Sequence, residues 1–267
     1  MANIGLVAGA GKLPIIFADT ARKRGDKVIG IGIKGITSTE IDAHVDKFVW
    51  FELGAFQKMI FAALSNRINK VVMLGKLRKD LFFRNAEGFD EDTKNLLGKL
   101  ADNKDYSILN KASEIMGKFG IEIIDPSLYL KDLIPSKGII TGRPPTKEES
   151  ADIDYAKTVV SELARLDIGQ TVIVKNKTVI AIEAIEGTDE AIARAGNLSK
   201  RGFVVVKAAR PNQDMRFDVP LVGLDTVEAI IKAGGTALAI EAGKTFLIDK
   251  AEIIALADEK GLSIIVV

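Results

Sequence analysis

The 267-residue chain contains no cysteine and only one histidine, His44. Disulfides, thiolate metal sites and cysteine nucleophiles are therefore excluded. A multi-histidine zinc centre cannot be built within one chain. Any bound metal must be held mainly by oxygen, which favours Mg²⁺, Mn²⁺ or Ca²⁺. An excess of charge is also missing: the formal net charge is +1, so no extended nucleic-acid surface is expected. No apolar run approaches the ~18 residues that a membrane-spanning helix needs. The first residues, Met1-Ala-Asn-Ile-Gly-Leu-Val-Ala-Gly9, lack the basic start and apolar centre of a signal peptide, which predicts a cytoplasmic protein. What is abundant is apolar side chain, 47% of the chain, enough for sizeable cores.

The first half alternates short apolar runs with helical patterns. Strands are expected at Ile4–Ala8, Lys27–Ile33, Lys47–Phe51, Lys70–Leu74 and Ile121–Ile124. Helices are expected around Leu13–Arg24 and Ala55–Arg67, with a polar helical region over Asp90–Gly117. That alternation predicts a Rossmann-like parallel sheet covered on both faces. Gly138, Gly142 and Pro144-Pro145 then break regular structure. Thr146 begins a helix-start pattern with Glu148 and Glu149 in its first turn. The second half pairs Thr171–Lys175 with Thr178–Glu183 through an Asn176-Lys177 hairpin. Helices at Asp189–Ala195, Thr226–Lys232 and Lys250–Lys260 alternate with strands at Phe203–Lys207, Ala237–Ile240, Thr245–Ile248 and Ser263–Val267. Hairpin and crossovers together imply a mixed sheet. The expectation is therefore two α/β domains: residues 1–132, a linker over 133–146, and residues 147–267.

Several segments carry chemistry. Gly9-Ala-Gly11-Lys12 follows the first strand, where backbone N–H groups could meet a phosphate. It lacks the third glycine of the dinucleotide fingerprint, since Pro14 stands there, and no acid closes the second strand. A tight turn explains it equally well. Lys76 and Arg78 follow the fourth strand and suit either a phosphate or a solvated loop. Gln170 is a polar candidate, though Gly169 before it could merely turn the chain. Glu183 ends an apolar strand, an expensive place for a carboxylate without a partner. The Gly187 turn could bring Glu186 back beside it. Thr188 reads as an N-cap, with Asp189 favourable in the first helical turn.

The segment Lys207-Ala-Ala-Arg-Pro-Asn-Gln-Asp-Met-Arg-Phe-Asp-Val-Pro220 is the least ordinary. Lys207 ends a valine strand, Arg210 and Arg216 add fixed charge, and Gln213 adds an amide. Asp218 stands between Phe217 and Val219, an unusual setting for a surface acid. An ion-paired structural loop is the plain alternative. If the strands ending at Glu183 and Lys207 are neighbours, acids, cations and amides converge on one sheet edge. Such an edge suits a divalent cation and an anionic phosphate together.

At these residues the chain resembles the UDP-2,3-diacylglucosamine pyrophosphatases of lipid A biosynthesis, in their two-domain α/β form. The resemblance is carried by Gly5-Leu-Val-Ala-Gly-Ala-Gly-Lys-Leu-Pro14, Ala151-Asp-Ile-Asp154, Leu166-Asp-Ile-Gly-Gln170, Ala184-Ile-Glu-Gly-Thr-Asp189 and Arg216-Phe-Asp-Val-Pro220, in order and spacing. It implies hydrolysis of UDP-2,3-diacylglucosamine to UMP and 2,3-diacylglucosamine 1-phosphate. It implies a Mg²⁺ (or Mn²⁺) requirement, water attack on the α-phosphorus, and a site in the interdomain cleft. The catalytic aspartate of the family falls on Asp218. Beside it the expected catalytic residues are Lys207 and Gln213, and the expected substrate contacts are Gly9, Gly11, Lys12, Gln170, Thr188 and Arg210. Asp218, Glu183, Glu186 and Asp189 are the expected metal ligands. The diacyl substrate implies peripheral contact with the inner face of the inner membrane, and a homodimer is left open. Three rivals stand beside this: a nicotinamide-dependent oxidoreductase, suggested only by the glycine loop; a nonenzymatic nucleotide-sugar-binding module; and a generic nucleotide-sugar pyrophosphatase, which shares the chemistry and differs only in the acyl groups.

Overall fold

A computed structural model describes residues 2–76, 89, 93–94, 105–211, 213–217 and 219–267. The chain forms two compact units. The first comprises the described residues up to Lys131 together with Met215, Arg216 and Phe217; the second comprises Asp132–Asp214 and Val219–Val267. Each has its own sheet and its own apolar core.

In the first unit β1 (Asn3–Ala8), β2 (Lys27–Ile33), β3 (Lys47–Phe51), β4 (Lys70–Leu74) and β5 (Glu122–Ile123) form one sheet in the order β3-β2-β1-β4-β5. Every described pairing in it is parallel. Helix α1 (Leu13–Lys23) starts with Pro14 in its first turn, where the missing N–H costs nothing. It buries Leu13, Phe17 and Ala21. Phe17 meets Tyr129, in the short helix Ser127–Leu130, edge-on at 5.1 Å. Helices over Phe56–Ser65 and Asp105–Lys118 supply Ile60, Ala63 and Met116 to a core with Val7, Ile31, Val71 and Ile121. Phe217 joins that core, 3% exposed, although it belongs to a distant part of the chain. Arg216 lies over the Phe217 ring at 4.8 Å and donates to Ser113 Oγ at 3.3 Å. His44 pairs with Asp19 through Nδ1 at 2.8 Å.

In the second unit β10 (Leu221–Val222) and β12 (Phe246–Leu247) stand apart, and the strands of the main sheet are β6 (Gly138–Ile139), β7 (Thr171–Lys175), β8 (Thr178–Ile182), β9 (Phe203–Lys207), β11 (Gly235–Ile240) and β13 (Ser263–Val266). Their order is β6-β13-β11-β9-β7-β8. Strands β9, β11 and β13 are parallel; β6, and the β7–β8 hairpin at the other end, pair antiparallel. Asn176 and Lys177 both take positive φ, 51° and 54°, the geometry a tight two-residue hairpin requires. Both of their backbone N–H groups are received by Asp152, at 2.8 and 2.6 Å.

One face of this sheet (Val172, Val174, Val204, Val206) packs on the helix Lys147–Arg165. That helix opens with the expected start, a capping box between Thr146 and Glu149. The other face (Ile173, Ala181, Val205, Leu238) packs on the helices Thr188–Ser199, Leu224–Ala233 and Lys250–Lys260.

Three expectations change in detail. The strand expected over Thr245–Ile248 is shorter, Phe246–Leu247, and pairs in a separate two-stranded sheet with Leu221–Val222. The helix expected from Asp189 begins at Thr188, with Gly187 rather than Thr188 at the cap position. The strands ending at Glu183 and Lys207 are not neighbours, because β7 runs between them. Much of the polar region 90–104 lies outside the described residues, which resume with the helix at Asp105.

Candidate functional site

The insertion of β7 brings the two strand ends together instead of separating them. Because β7 runs opposite to both neighbours, its first residue lies at the edge where β8 and β9 finish. Thr171 is the register partner of Lys207, and Glu183 N–H donates to the Thr171 carbonyl at 2.9 Å. Cross-strand partners put their side chains on one face. Glu183, Thr171 and Lys207 therefore form a row across three strands. It lies on the face covered by the helix Thr188–Ser199, whose first residue closes the arrangement. The Thr188 hydroxyl donates to Glu183 Oε1 at 2.8 Å and accepts from Lys207 Nζ at 2.8 Å.

The electrostatics follow from burial. Lys207 is only 8% exposed, so its ammonium needs an acceptor and a counter-charge nearby. Glu183 supplies the charge. Burial pushes its carboxyl up, but the Lys207 ammonium, the Thr171 and Thr188 hydroxyls and the Gln170 backbone N–H together hold it below the ordinary value. The Thr171 hydroxyl favours the charged form of Glu183, while its Oγ1 makes no hydrogen bond of ordinary geometry. Glu183 Oε2 and Gln170 Nε2 are buried atoms without partners as well. Three orphaned polar atoms thus sit along one short stretch of the edge.

Gly169 makes the edge close. A Cβ there would lie 2.0 Å from the Glu183 carbonyl oxygen, so the two backbones touch only because the side chain is absent. The glycine is needed for this approach as well as for the turn. Asp167, with φ at 59°, receives Arg210 through Nε at 2.8 Å and Nη2 at 2.6 Å. This ion pair is well covered, with side-chain exposures of 16% for Arg210 and 14% for Asp167. Gln213 Oε1 accepts from the Arg210 backbone N–H at 3.3 Å, and Gln213 Nε2 donates to the Asp214 carbonyl at 3.1 Å. Glu241, just past β11, accepts from Ala209 N–H at 2.8 Å and pairs with Lys244 at 3.0 Å. Sequence reading missed Thr171 and Glu241. Strand register alone reveals Thr171, whereas Glu241 stands as visibly past a strand end as Glu183 does.

Of the expected metal ligands, Glu183, Glu186 and Asp189 each have a protein partner. Glu186 pairs with Arg194 at 2.6 Å and accepts from Ala184 N–H. Asp189 accepts from Thr226 Oγ1 at 3.2 Å. Glu183 Oε1 is taken by Thr188. Among the described residues no three acidic, histidine or cysteine side chains gather into a group that could hold a metal ion. Glu183, Glu186 and Asp189 thus do not form a Mg²⁺ or Mn²⁺ shell by themselves. Asp218 lies outside the described residues.

In the first unit, the glycine turn after β1 meets the turn after β4. Gly9 N–H donates to the Leu74 carbonyl, and Ala10 and Lys76 exchange two backbone hydrogen bonds at 2.9 and 2.8 Å. A Cβ on Gly9 would lie 2.8 Å from the Gly75 carbonyl carbon. Gly9 therefore serves a backbone contact. Gly11 has open space around it, and Lys12 occupies the cap position of α1 without a side-chain capping bond. Arg78 lies outside the described residues.

Two α/β units, one parallel and one mixed, with a charged row at the strand ends of the second, define the class. Models of the LpxI N-terminal domain and the LpxI C-terminal domain match residues 3–133 and 136–265. The chain belongs to the LpxI family. A relative from Caulobacter vibrioides is 28% identical over 99% of this chain and 97% of its own length; it is named UDP-2,3-diacylglucosamine pyrophosphatase LpxI. Among solved structures, the biotin carboxylase domain of a single-chain bacterial carboxylase is 13% identical, with TM-score 0.24, over 64% of this chain and 35% of that one. Glycinamide-RNase-transformylase T from Mycobacterium tuberculosis is 10% identical, with TM-score 0.26, over 68% of this chain and 44% of that one. The chain spans less than half the length of these two proteins, and similarity so low carries nothing further. Among the described residues no helix is long and apolar enough to cross a membrane.

Proposed function

We propose that this protein hydrolyses the pyrophosphate of UDP-2,3-diacylglucosamine, giving UMP and 2,3-diacylglucosamine 1-phosphate. The observation that carries this reading is the buried Lys207 ammonium, held at a sheet edge beside polar atoms that have no protein partner. The name of the Caulobacter relative, which this chain matches almost end to end, supports the substrate. A pyrophosphate repels an incoming nucleophile, so a fixed cation in a poorly solvated setting lowers the barrier where charge redistributes. Lys207 supplies that cation. Arg210, braced by Asp167, and the amides of Gln170 and Gln213 are the proposed contacts to phosphate and sugar, with Gly9, Gly11, Lys12 and Thr188 as further proposed substrate contacts.

A water oxygen bonds to the α-phosphorus while that phosphorus loses its bond to the bridging oxygen, which leaves on the lipid phosphate. The proton of the water passes to Asp218 as general base. Mg²⁺ or Mn²⁺, if bound, would offset the pyrophosphate charge, and Asp218 is the carboxylate that would hold it. Exposed Ile168 and Ile185, 41% and 65% exposed and close in sequence to Gln170 and Glu183, are apolar surface suited to acyl chains at a membrane face.

The test is turnover of UDP-2,3-diacylglucosamine by the full chain with Mg²⁺. Asp218→Ala should fold normally and lose at least ~10²-fold in rate, the scale of a lost general base. A folded variant with near-normal turnover would remove Asp218 from the mechanism. Tight substrate binding by the unaltered chain without any cleavage would favour the nonenzymatic binding module instead.

A further inference from the structure

We propose that Glu183 is a positioning residue for Lys207, acting through the Thr188 hydroxyl, and not a metal ligand. The inference rests on the pyrophosphatase reading for its consequence in turnover, but its geometry stands by itself. A hydroxyl has one proton to give and lone pairs to receive with. Thr188 gives its proton to Glu183 Oε1 and receives from Lys207 Nζ, each at 2.8 Å. That polarity is fixed, because an ammonium can only donate and a carboxylate can only accept. The chain of bonds therefore sets Lys207 at one end of a three-residue relay with the counter-charge at the other.

The surroundings favour this role. The row is built by register, Thr171 being the partner of Lys207 and bonded through its carbonyl to Glu183 N–H, so neither end can drift without opening the sheet edge. Gly169 closes the same edge against the Glu183 backbone. The helix that carries Thr188 is anchored by Ala191, Ile192 and Ala195, all buried against the sheet. Charge matters too. With Glu183 ionised, the buried Lys207 ammonium is compensated without being neutralised at short range, and its remaining hydrogens stay available for a phosphate oxygen. A metal shell is the poorer account of Glu183, since Glu186 and Asp189 are engaged by Arg194 and Thr226.

The experiment has two arms. In the first, the full chain carries ¹⁵N-lysine, without substrate or metal, and the Lys207 side-chain ammonium signal is assigned by its loss in Lys207→Met. Glu183→Gln and Thr188→Val should each speed its hydrogen exchange by roughly tenfold, the scale of losing one charge-assisted hydrogen bond. Thr188→Ser, which keeps the hydroxyl, should restore the slow signal, and matching urea midpoints for all variants exclude unfolding as the cause. In the second arm, Glu183→Gln and Thr188→Val should each cut kcat by roughly tenfold, and the double variant no further, as expected of residues acting through one relay. The Mg²⁺ concentration for half-maximal rate should stay the same. An unchanged Lys207 signal in Glu183→Gln overturns the proposal. So does a tenfold or greater rise in that Mg²⁺ concentration for Glu183→Gln with Thr188→Val near normal. Should the unaltered chain fail to cleave the substrate, the pyrophosphatase reading fails while the first arm still decides the positioning role.

Discussion

Both units bring loops together at the edge where parallel strands end, but they join them differently. In the first, the turns after β1 and β4 are zipped backbone to backbone, with Gly9 pressed against Gly75 and Ala10 bridged to Lys76. In the second, the strand ends are joined through side chains, Glu183 to Thr188 to Lys207. The first arrangement rests on three backbone hydrogen bonds. The second leaves Glu183 Oε2, Gln170 Nε2 and Thr171 Oγ1 buried and unpaired, which costs stability unless something else uses them. A glycine-rich turn is thus a weaker pointer to chemistry than a charged strand end whose partners are left incomplete.

Breaking each edge should expose the difference. The largest effect is expected for Gly169→Ala, whose Cβ would fall 2.0 Å from the Glu183 carbonyl oxygen. Separating the two backbones should cost about 3 kcal/mol or more in urea unfolding and displace Glu183, so turnover falls as well. Gly9→Ala, with its Cβ 2.8 Å from Gly75, should cost about 1–3 kcal/mol as an overpacking change. An unaltered midpoint in Gly9→Ala would show that the zipped turn yields easily.

A structural ion pair provides the control for the charged row. Arg143 grips Glu149 with two nitrogens at 2.8 and 3.0 Å, and also donates to the Gly261 carbonyl. Burial pushes the Glu149 carboxyl up, but Arg143 and the Thr146 N–H more than offset it, leaving it below the ordinary 4.5. A carboxyl depressed on folding stabilises the protein above its unfolded value and loses that contribution as pH falls through the folded value. Glu149→Gln should therefore cost about 1 kcal/mol at neutral pH, and its deficit against the parent should close as pH drops below 4.5. Its turnover at neutral pH should be preserved, whereas Glu183→Gln loses turnover. A pH-independent deficit would show that the Glu149 charge is not what stabilises. The smallest effect is a gain: Lys177→Gly relieves a left-handed residue at φ 54° and should add about 0.5 kcal/mol, read as a higher urea midpoint.

Much of the fold was legible because its signals are local. Apolar runs flanked by helical patterns gave the parallel sheet, Asn176-Lys177 gave the hairpin, and Thr146 with Glu149 gave a helix start down to its capping box. Element edges were less legible, as at Thr188, where composition suits a cap but the tertiary pull of Glu183 and Lys207 draws the hydroxyl away from its own helix. Glu183 and Lys207 stood out as charges ending apolar strands. Their relation did not, since it depends on β7 entering between β8 and β9 in the opposite direction. Thr171 carried no signal: a threonine opening a strand is ordinary until register places it between two charges. Phe217 was equally silent, being one aromatic among polar neighbours whose burial comes from residues far away in sequence.

The most direct measurement is the fate of solvent oxygen. The purified chain is incubated with UDP-2,3-diacylglucosamine and Mg²⁺ in H₂¹⁸O, with a chelated control, and both products are weighed by mass spectrometry. The account predicts cleavage with the label in UMP, as attack on the α-phosphorus requires. Label in the lipid phosphate would contradict the proposed geometry, and an intact substrate would contradict the proposed function itself.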